Sequence, residues 1–451
     1  MSLWFYAYAN LQYLWLLLFS CLIGWLLSCL PEKIFSEKGK KVLTGVGCVF
    51  HLGLLGYFKY SNFFLENLNT VFHTDFPMLQ ILLPVGISFY TFQQLAYLID
   101  RCRGDAPRDS FFDYLTFMVY FPQLLQGPIL LRSEFMGQLK EPERRRFHAE
   151  RFSEGIQFFV FGLAKKVLLA DTLAKAVNYG YSNVSMLDSI SALLLAVGYL
   201  TELYFDFSGY CDMAVGLGKM IGLEVAENFD APFHSASVKE FWRRWHMTLG
   251  RFFTRYVYIP LGGNRRGKMR TLCNVMIVML LSGLWHGAAW TFVLWGFLHG
   301  VGMIWDNLEH PHLPKKWMRQ AATFAYVCMT FVFFRAESIA QGVDVLKSIV
   351  SLKWNGFVFQ MASALDMTEC YMITKALSMK LPGLLSWFWL GIFVVLIAIC
   401  FRVLSGEKVS GVVALQRQKG YGRLYPVLLA VLFTWSMISM TGVSEYLYFS
   451  F

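Results

Sequence analysis

The sequence predicts an all-α integral membrane protein forming a single domain over residues 1–451. Three observations carry that reading. The 451 residues are 56% hydrophobic and only 16% charged, whereas soluble domains carry about 25% charged residues. Uncharged runs of roughly 20 residues, the length needed to span a hydrocarbon core of about 30 Å, recur along the chain. No soluble domain, low-complexity tract or internal repeat interrupts them.

Met1–Pro31 lacks a basic leader and is long enough to span, so it reads as a membrane segment rather than a cleavable signal. Val42–Phe58 and Met78–Ile99 read as further spans. Tyr114–Leu131 contains Pro122 and Pro128 and has basic residues on both flanks, which predicts re-entry rather than crossing. Gly155–Gly180 and Ser189–Tyr210 are more polar membrane segments. Residues 213–270 form the longest polar interval. Within it Phe241, Trp242, Trp245, Leu249, Phe252, Phe253 and Tyr256 follow helical spacing, with Arg244, Arg251 and Arg255 on another face. That pattern predicts one amphipathic helix lying at, or partly sunk into, the cytoplasmic interface, ended by Ile259–Asn264.

Thr271–Trp305 holds 35 residues without Asp, Glu, Lys or Arg. As one helix it would measure roughly 50 Å, so it must bend or break. Gly283 and Gly287 flank His286 where a break is easiest. Gln320–Phe334, Leu381–Phe401 and Leu424–Ser444 complete the spans, with a second non-spanning helix near Ala340–Leu352. About ten or eleven membrane helices are expected, with re-entrant and interfacial helices between them.

The net charge of +10 lies in the loops. Segment 32–41 carries four basic residues, 132–152 six, 213–270 ten against four acidic, and 402–423 five against one. Basic loops mark the cytoplasmic side, so the N-terminus and the final Tyr446–Phe451 are expected outside. The nine cysteines are scattered, mostly within apolar runs, and no CxxC occurs. They read as small buried apolar residues, and no metal site is expected.

A titratable imidazole inside a membrane segment is costly and asks for a functional explanation. His286 is therefore the first catalytic candidate: a neutral ring there can take a proton from a hydroxyl as it attacks an acyl group. His246 is the second. It shares a face with Trp242, Leu249 and Phe253, and a satisfied interface histidine is its alternative reading. His299 lies 13 residues past His286, turned away on a continuous helix, which favours structure over chemistry. Glu202 and Asp206, spaced i, i+4, need partners, and Lys165 and Lys166 on the preceding helix can supply them. Structural ion pairs or a polar tunnel lining both fit, and Gln93 and Gln123 belong to the same possible path. No Walker loop, Gly-x-Ser-x-Gly elbow, dinucleotide fingerprint or zinc spacing is present, which argues against ATP hydrolysis and serine-hydrolase chemistry.

Several passages then converge. They are Leu83-Pro84-Val85-Gly86-Ile87-Ser88-Phe89-Tyr90, Phe121-Pro122-Gln123-Leu124-x-x-Gly127-Pro128 and Asp206-Phe207-Ser208-Gly209-Tyr210. They continue with Asn228-Phe229-x-x-Pro232-Phe233, Phe241-Trp242-Arg243-Arg244-Trp245-His246, Tyr258-Ile259-Pro260-Leu261-Gly262-Gly263-Asn264 and Gly283-Leu284-Trp285-His286-Gly287, and they close with Trp295-Gly296-x-x-His299-Gly300. Together they resemble the membrane-bound O-acyltransferase superfamily, in its bacterial branch of alginate, cellulose and peptidoglycan O-acetylation.

The resemblance implies a helical core around a central tunnel in the bacterial cytoplasmic membrane. It assigns the catalytic histidine to His286 and a second active-site histidine to His246. It implies acetyl-CoA as a cytoplasmic donor substrate rather than a bound cofactor. The implied partners are an extracytoplasmic SGNH-type transferase, the polysaccharide reached through it, and membrane lipid; nucleic acid is not expected. The terminal Tyr446-Leu447-Tyr448-Phe449-Ser450-Phe451 is similar to a terminal aromatic pattern in which a tyrosine is a proposed acyl carrier. By position that residue is Tyr448, although Tyr446 and Leu447 depart from the pattern. The rival from another class is a transporter that flips an acylated intermediate without chemistry.

Overall fold

The computed structural model describes residues 2–9, 11–30, 36–308, 315–404, 408–419, 422 and 424–440, and among these it contains helices and no strand. Helices α1 (Ser2–Ala9), α2 (Leu11–Cys29) and α3 (Glu37–Leu55) open the chain. A wider π turn at Gly56–Tyr60 carries α3 into α4 (Ser61–Phe72). Next come α5 (Ile87–Arg103), α6 (Phe111–Met118), α7 (Phe121–Leu124), α8 (Arg132–Lys140), α9 (Ala149–Ala164), α10 (Asp171–Ser182) and α11 (Ser189–Met220). The short pair α12 (Val238–Arg244) and α13 (Met247–Phe253) precedes α14 (Lys268–His286) and α15 (Trp290–Asn307). The chain continues through α16 (Lys316–Arg335), α17 (Ile339–Val350), α18 (Phe357–Ser363), α19 (Tyr371–Lys380), α20 (Pro382–Leu404), α21 (Val409–Lys419) and α22 (Leu424–Ser439).

Five of these segments are long and apolar enough to cross a membrane: Leu11–Cys29, Glu37–Phe72, Ser189–Met220, Lys268–His286 and Pro382–Val403. The protein is thus a multi-pass membrane protein. Helix α11 is its buried axis, and apolar side chains of α10, α11, α15, α16, α18 and α20 meet in the largest core cluster. Helices α9 and α11 approach almost backbone to backbone. A Cβ added at Gly155 would lie 2.6 Å from the Gly216 carbonyl oxygen, and one at Gly162 would lie 2.5 Å from that of Gly209. The pairing of 155 with 216 and 162 with 209 makes the two helices antiparallel. It follows the small-residue rule for helices that associate by van der Waals contact in lipid.

Two expectations need correction, and a third, the interruption of Tyr114–Leu131, holds. Met78–Ile99 is not helical throughout: residues 73–86 are irregular and α5 begins only at Ile87, where Gly86 sits at φ +74°. Tyr114–Leu131 is interrupted, as its prolines predict: α6 ends at Met118, Pro122 sits in the first turn of α7, and the chain is irregular again from Pro128 to Leu131. The amphipathic helix of 241–256 is also broken. His246 adopts φ +46°, and the backbone on either side pairs with a distant strand-like stretch, through Asp230 N–H to Arg244 O and Met247 N–H to Asn228 O, both at 2.9 Å. Phe241, Trp245, His246 and Leu249 are fully buried, so the apolar face is sunk into the protein, the deeper of the two expected placements.

The loop before α11 is locked by Asp188. One carboxylate oxygen accepts from Ser191 N–H at 2.8 Å, and the other accepts from Asn355 N–H at 3.1 Å and Gly356 N–H at 3.0 Å. Burial alone would push this carboxyl up, yet the bonds from Ser191, Asn355 and Gly356 hold it below its ordinary value of 3.8. Asp188→Ala should therefore cost about 1–2 kcal/mol at neutral pH, the worth of a strong N-cap. Because the folded pKa is the lower one, this contribution is whole above the ordinary value and is lost as pH falls through the folded value. Thermal unfolding in detergent should show the gap between wild type and Asp188→Ala closing in acid. A gap that stays constant down to pH about 3 would contradict the assignment.

Candidate active site

Helix α14 begins at the basic Lys268–Arg270 and ends at His286. Eighteen residue steps carry the imidazole roughly 27 Å from that end. The 35-residue uncharged run does break, between His286 and Trp290, and α15 folds back along α14. Gly287 is extended at φ −160°, a conformation open to any residue. Its lack of a side chain matters for space instead, since a Cβ there would strike the Phe292 ring. Gly283 is inside the helix, facing Gly296 across the α14–α15 contact.

His286 is 4% exposed. Its ring is walled by Trp285, Trp295 and Phe334, with centroids at 5.0, 5.2 and 5.1 Å. His246 reaches the same place from the break between α12 and α13, its centroid 6.4 Å from that of His286. Two residues 40 apart in sequence are thus brought together by the fold.

The tautomer of His246 follows from its partners. Asn228 Oδ1 accepts from Thr248 N–H at 3.1 Å and from Thr248 Oγ1 at 2.9 Å. It must therefore be the amide oxygen, and His246 Nδ1, 3.2 Å away, must donate to it. His246 Nε2 then carries the lone pair, is buried, and has no hydrogen-bond partner among the described residues. As a neutral ring it accepts rather than donates at that atom. In that tautomer the free lone pair suits His246 to accept a hydrogen bond from a hydroxyl or a neighbouring ring.

Two cavities approach the pair. One, of about 450 Å³, is lined by Lys239, Arg243 and Arg251 together with Trp242, Met247, Tyr258, Met279 and Ser282. Met247 adjoins His246, and Ser282 is one helical turn before His286. The other, of about 60 Å³, is lined by His286 itself, Trp285, Lys59, Leu125 and the irregular stretch Leu83–Phe89. The first opens beside the basic start of α14 and the second beside its far end.

The remaining candidates lie elsewhere. His299 Nδ1 accepts from Trp242 Nε1–H at 3.2 Å, and its Nε2 lies 3.0 Å from Thr330 Oγ1. The Thr330 hydroxyl donates to Val327 O, so Nε2–H donates to Thr330 and both ring nitrogens are occupied. Asp206 pairs with Lys166 at 2.5 Å, and Lys166 also meets Asp171 at 2.7 Å. Lys165 pairs with Asp212 at 2.6 Å. Glu202 is buried, with Oε2 unbonded among the described residues. Gln93 is buried, and Gln123 donates to Phe117 O at 2.8 Å. None of Glu202, Asp206, Gln93, Gln123 or His299 lines either cavity at the histidines. Tyr448 is outside the described residues. Sequence reasoning missed Asn228 and Lys59. Asn228 lay in the Asn228-Phe229-x-x-Pro232-Phe233 passage without a role, and Lys59 had no signal beyond a single charge beside an apolar run.

Residues 104–341, which include Asn228, His246 and His286, match the model of the membrane-bound O-acyltransferase family. A peptidoglycan O-acetyltransferase of Helicobacter pylori is 36% identical over 383 residues, covering 78% of this chain and 72% of that protein. A probable alginate O-acetylase AlgI of Pseudomonas putida is 41% identical over 309 residues, covering 66% of this chain and 62% of that protein. A teichoic acid D-alanyltransferase of Bacillus subtilis is 28% identical over 271 residues, covering 56% of this chain and 69% of that protein.

Proposed function

The chain belongs to the membrane-bound O-acyltransferase family and is an O-acyltransferase, and we propose that it moves an acetyl group from a cytoplasmic thioester to the outer side of the bacterial cytoplasmic membrane. The acceptor class is a cell-envelope polysaccharide, by kinship with relatives named for peptidoglycan and alginate O-acetylation. The observation that carries the mechanism is the pair of buried imidazoles with one cavity on each side.

The donor is acetyl-CoA. The 450 Å³ cleft supports this, because Lys239 and Arg243 stand at its wall and suit phosphates, while Trp242, Met247 and Met279 offer an apolar path inward. His286 acts as general base. It takes the proton of an acceptor hydroxyl as the oxygen bonds to the acetyl carbon. The carbon–sulfur bond breaks, and the proton passes from the imidazolium to the departing thiolate, leaving free CoA. His246, with its lone pair at Nε2, orients the reacting groups. The first acceptor is Tyr448, which relays the acetyl group to an SGNH-type partner and on to the glycan.

Purified protein in lipid vesicles, supplied with acetyl-labelled acetyl-CoA on one side, should release CoA and carry label covalently. In Tyr448→Phe the label on the protein should vanish. A normally acetylated species in that variant would remove the carrier role, and CoA release independent of His286 would remove the mechanism.

A further inference from the structure

The last four carbonyls of a helix have no partner within it, and buried ones must find donors elsewhere. At the His286 end of α14 every one is accounted for. Gly283 O accepts from Gly287 N–H at 3.3 Å. Leu284 O accepts from the Tyr60 hydroxyl at 2.5 Å. Trp285 O and His286 O accept from the Lys59 ammonium at 2.7 and 2.9 Å. Three consecutive carbonyls are thus held by two consecutive residues more than 220 positions earlier in the chain.

The π turn at Gly56–Tyr60 makes this possible. In an ordinary α-helix neighbouring side chains diverge by about 100°, and a π turn locally resets that spacing; such turns cluster at functional sites. The third Lys59 donor reaches Ser88 Oγ at 3.4 Å, so the ammonium's three donors meet three acceptors. A lysine inside a membrane segment is expensive and needs a reason. A helix C-terminus, with its partial negative charge, supplies an electrostatic one.

We propose that Lys59 is the positioning residue of His286, with Tyr60 as its second point of attachment. The two clamp the end of α14 so that the imidazole holds its place between the two cavities. Lys59 also lines the small cavity beside His286, but its donors are committed to the helix end and to Ser88. It acts through the histidine's placement rather than on the substrate. This inference rests on the reading of His286 as general base.

Full-length Lys59→Met, Tyr60→Phe and His286→Ala proteins, reconstituted in vesicles, would be titrated with acetyl-CoA and followed by CoA release. Lys59→Met should lower kcat roughly 10- to 100-fold, as misplaced reacting groups do, with KM for acetyl-CoA changed less than about twofold. Tyr60→Phe should lower kcat less, again at constant KM. A wild-type kcat in Lys59→Met, or a loss borne entirely by KM, overturns the positioning role. Should Lys59→Met fail to fold, Tyr60→Phe decides by the same split, and a wild-type kcat there overturns it. Wild-type turnover in His286→Ala would instead overturn the general-base reading beneath it.

Discussion

His286→Ala should abolish acetyl transfer while the protein still inserts and binds its partner. General-base catalysis is worth roughly 10² to 10⁴ in rate, and no other group described beside the imidazole replaces it. His246 is 6.4 Å away between ring centroids and its Nδ1 proton is committed to Asn228. Its bare Nε2 could serve as a base only if the acceptor moved to it. Loss should therefore appear in kcat, with acetyl-CoA still bound in the basic cleft, where His286 contributes no lining atom. The measurement is CoA release together with O-acetyl content of envelope glycan in cells carrying the variant. The structural cost should be modest: the ring is packed among Trp285, Trp295 and Phe334, and its backbone anchors to Lys59 do not involve the side chain. Glycan acetylation at the wild-type level would sink the assignment.

His286 was legible in the sequence because an intramembrane imidazole is rare and costly, whereas His246 was marked by its apolar face together with the family resemblance. The break after His286 was legible too, because 35 uncharged residues exceed one span. Its cause was not. Conformational freedom at Gly283 and Gly287 was the expected reason, yet Gly287 is plainly extended and Gly283 is helical. Both glycines serve close approach, a property of the partner surface that periodicity cannot report. His246 shows the same limit. Helical spacing ran straight through it, while pairing of Asn228 and Asp230 with residues 244–247 turned the backbone to φ +46°. That pairing is non-local, so nothing within the window announced it. Lys59 was hidden for the same reason: its two shortest bonds go to main-chain carbonyls, which no side-chain motif records.

Gly283→Val should be nearly as damaging as loss of the histidine, though it touches no substrate. A Cβ at Gly283 would strike the Phe292 carbonyl oxygen and come within 3.3 Å of Gly296 Cα. A Cβ at Gly296 would in turn lie 2.5 Å from Met279 O. These obstacles are backbone, so no rotamer change relieves them, and α14 and α15 must separate. Overpacking of this kind costs about 1–3 kcal/mol, which a multi-pass protein can survive. The catalytic geometry is less tolerant. His286 lies three residues beyond Gly283, and a displacement of about 1 Å at a reacting group costs on the order of 100-fold in rate. The expected result is a folded, inserted protein, monodisperse in detergent, with kcat reduced roughly 100-fold. Gly53→Ala is the matched control, since a Cβ there meets nothing within 4 Å; it should behave as wild type. If Gly283→Val keeps kcat within about twofold, the α14–α15 contact does not set the position of His286, and the helix end must be held by Lys59 and Tyr60 alone.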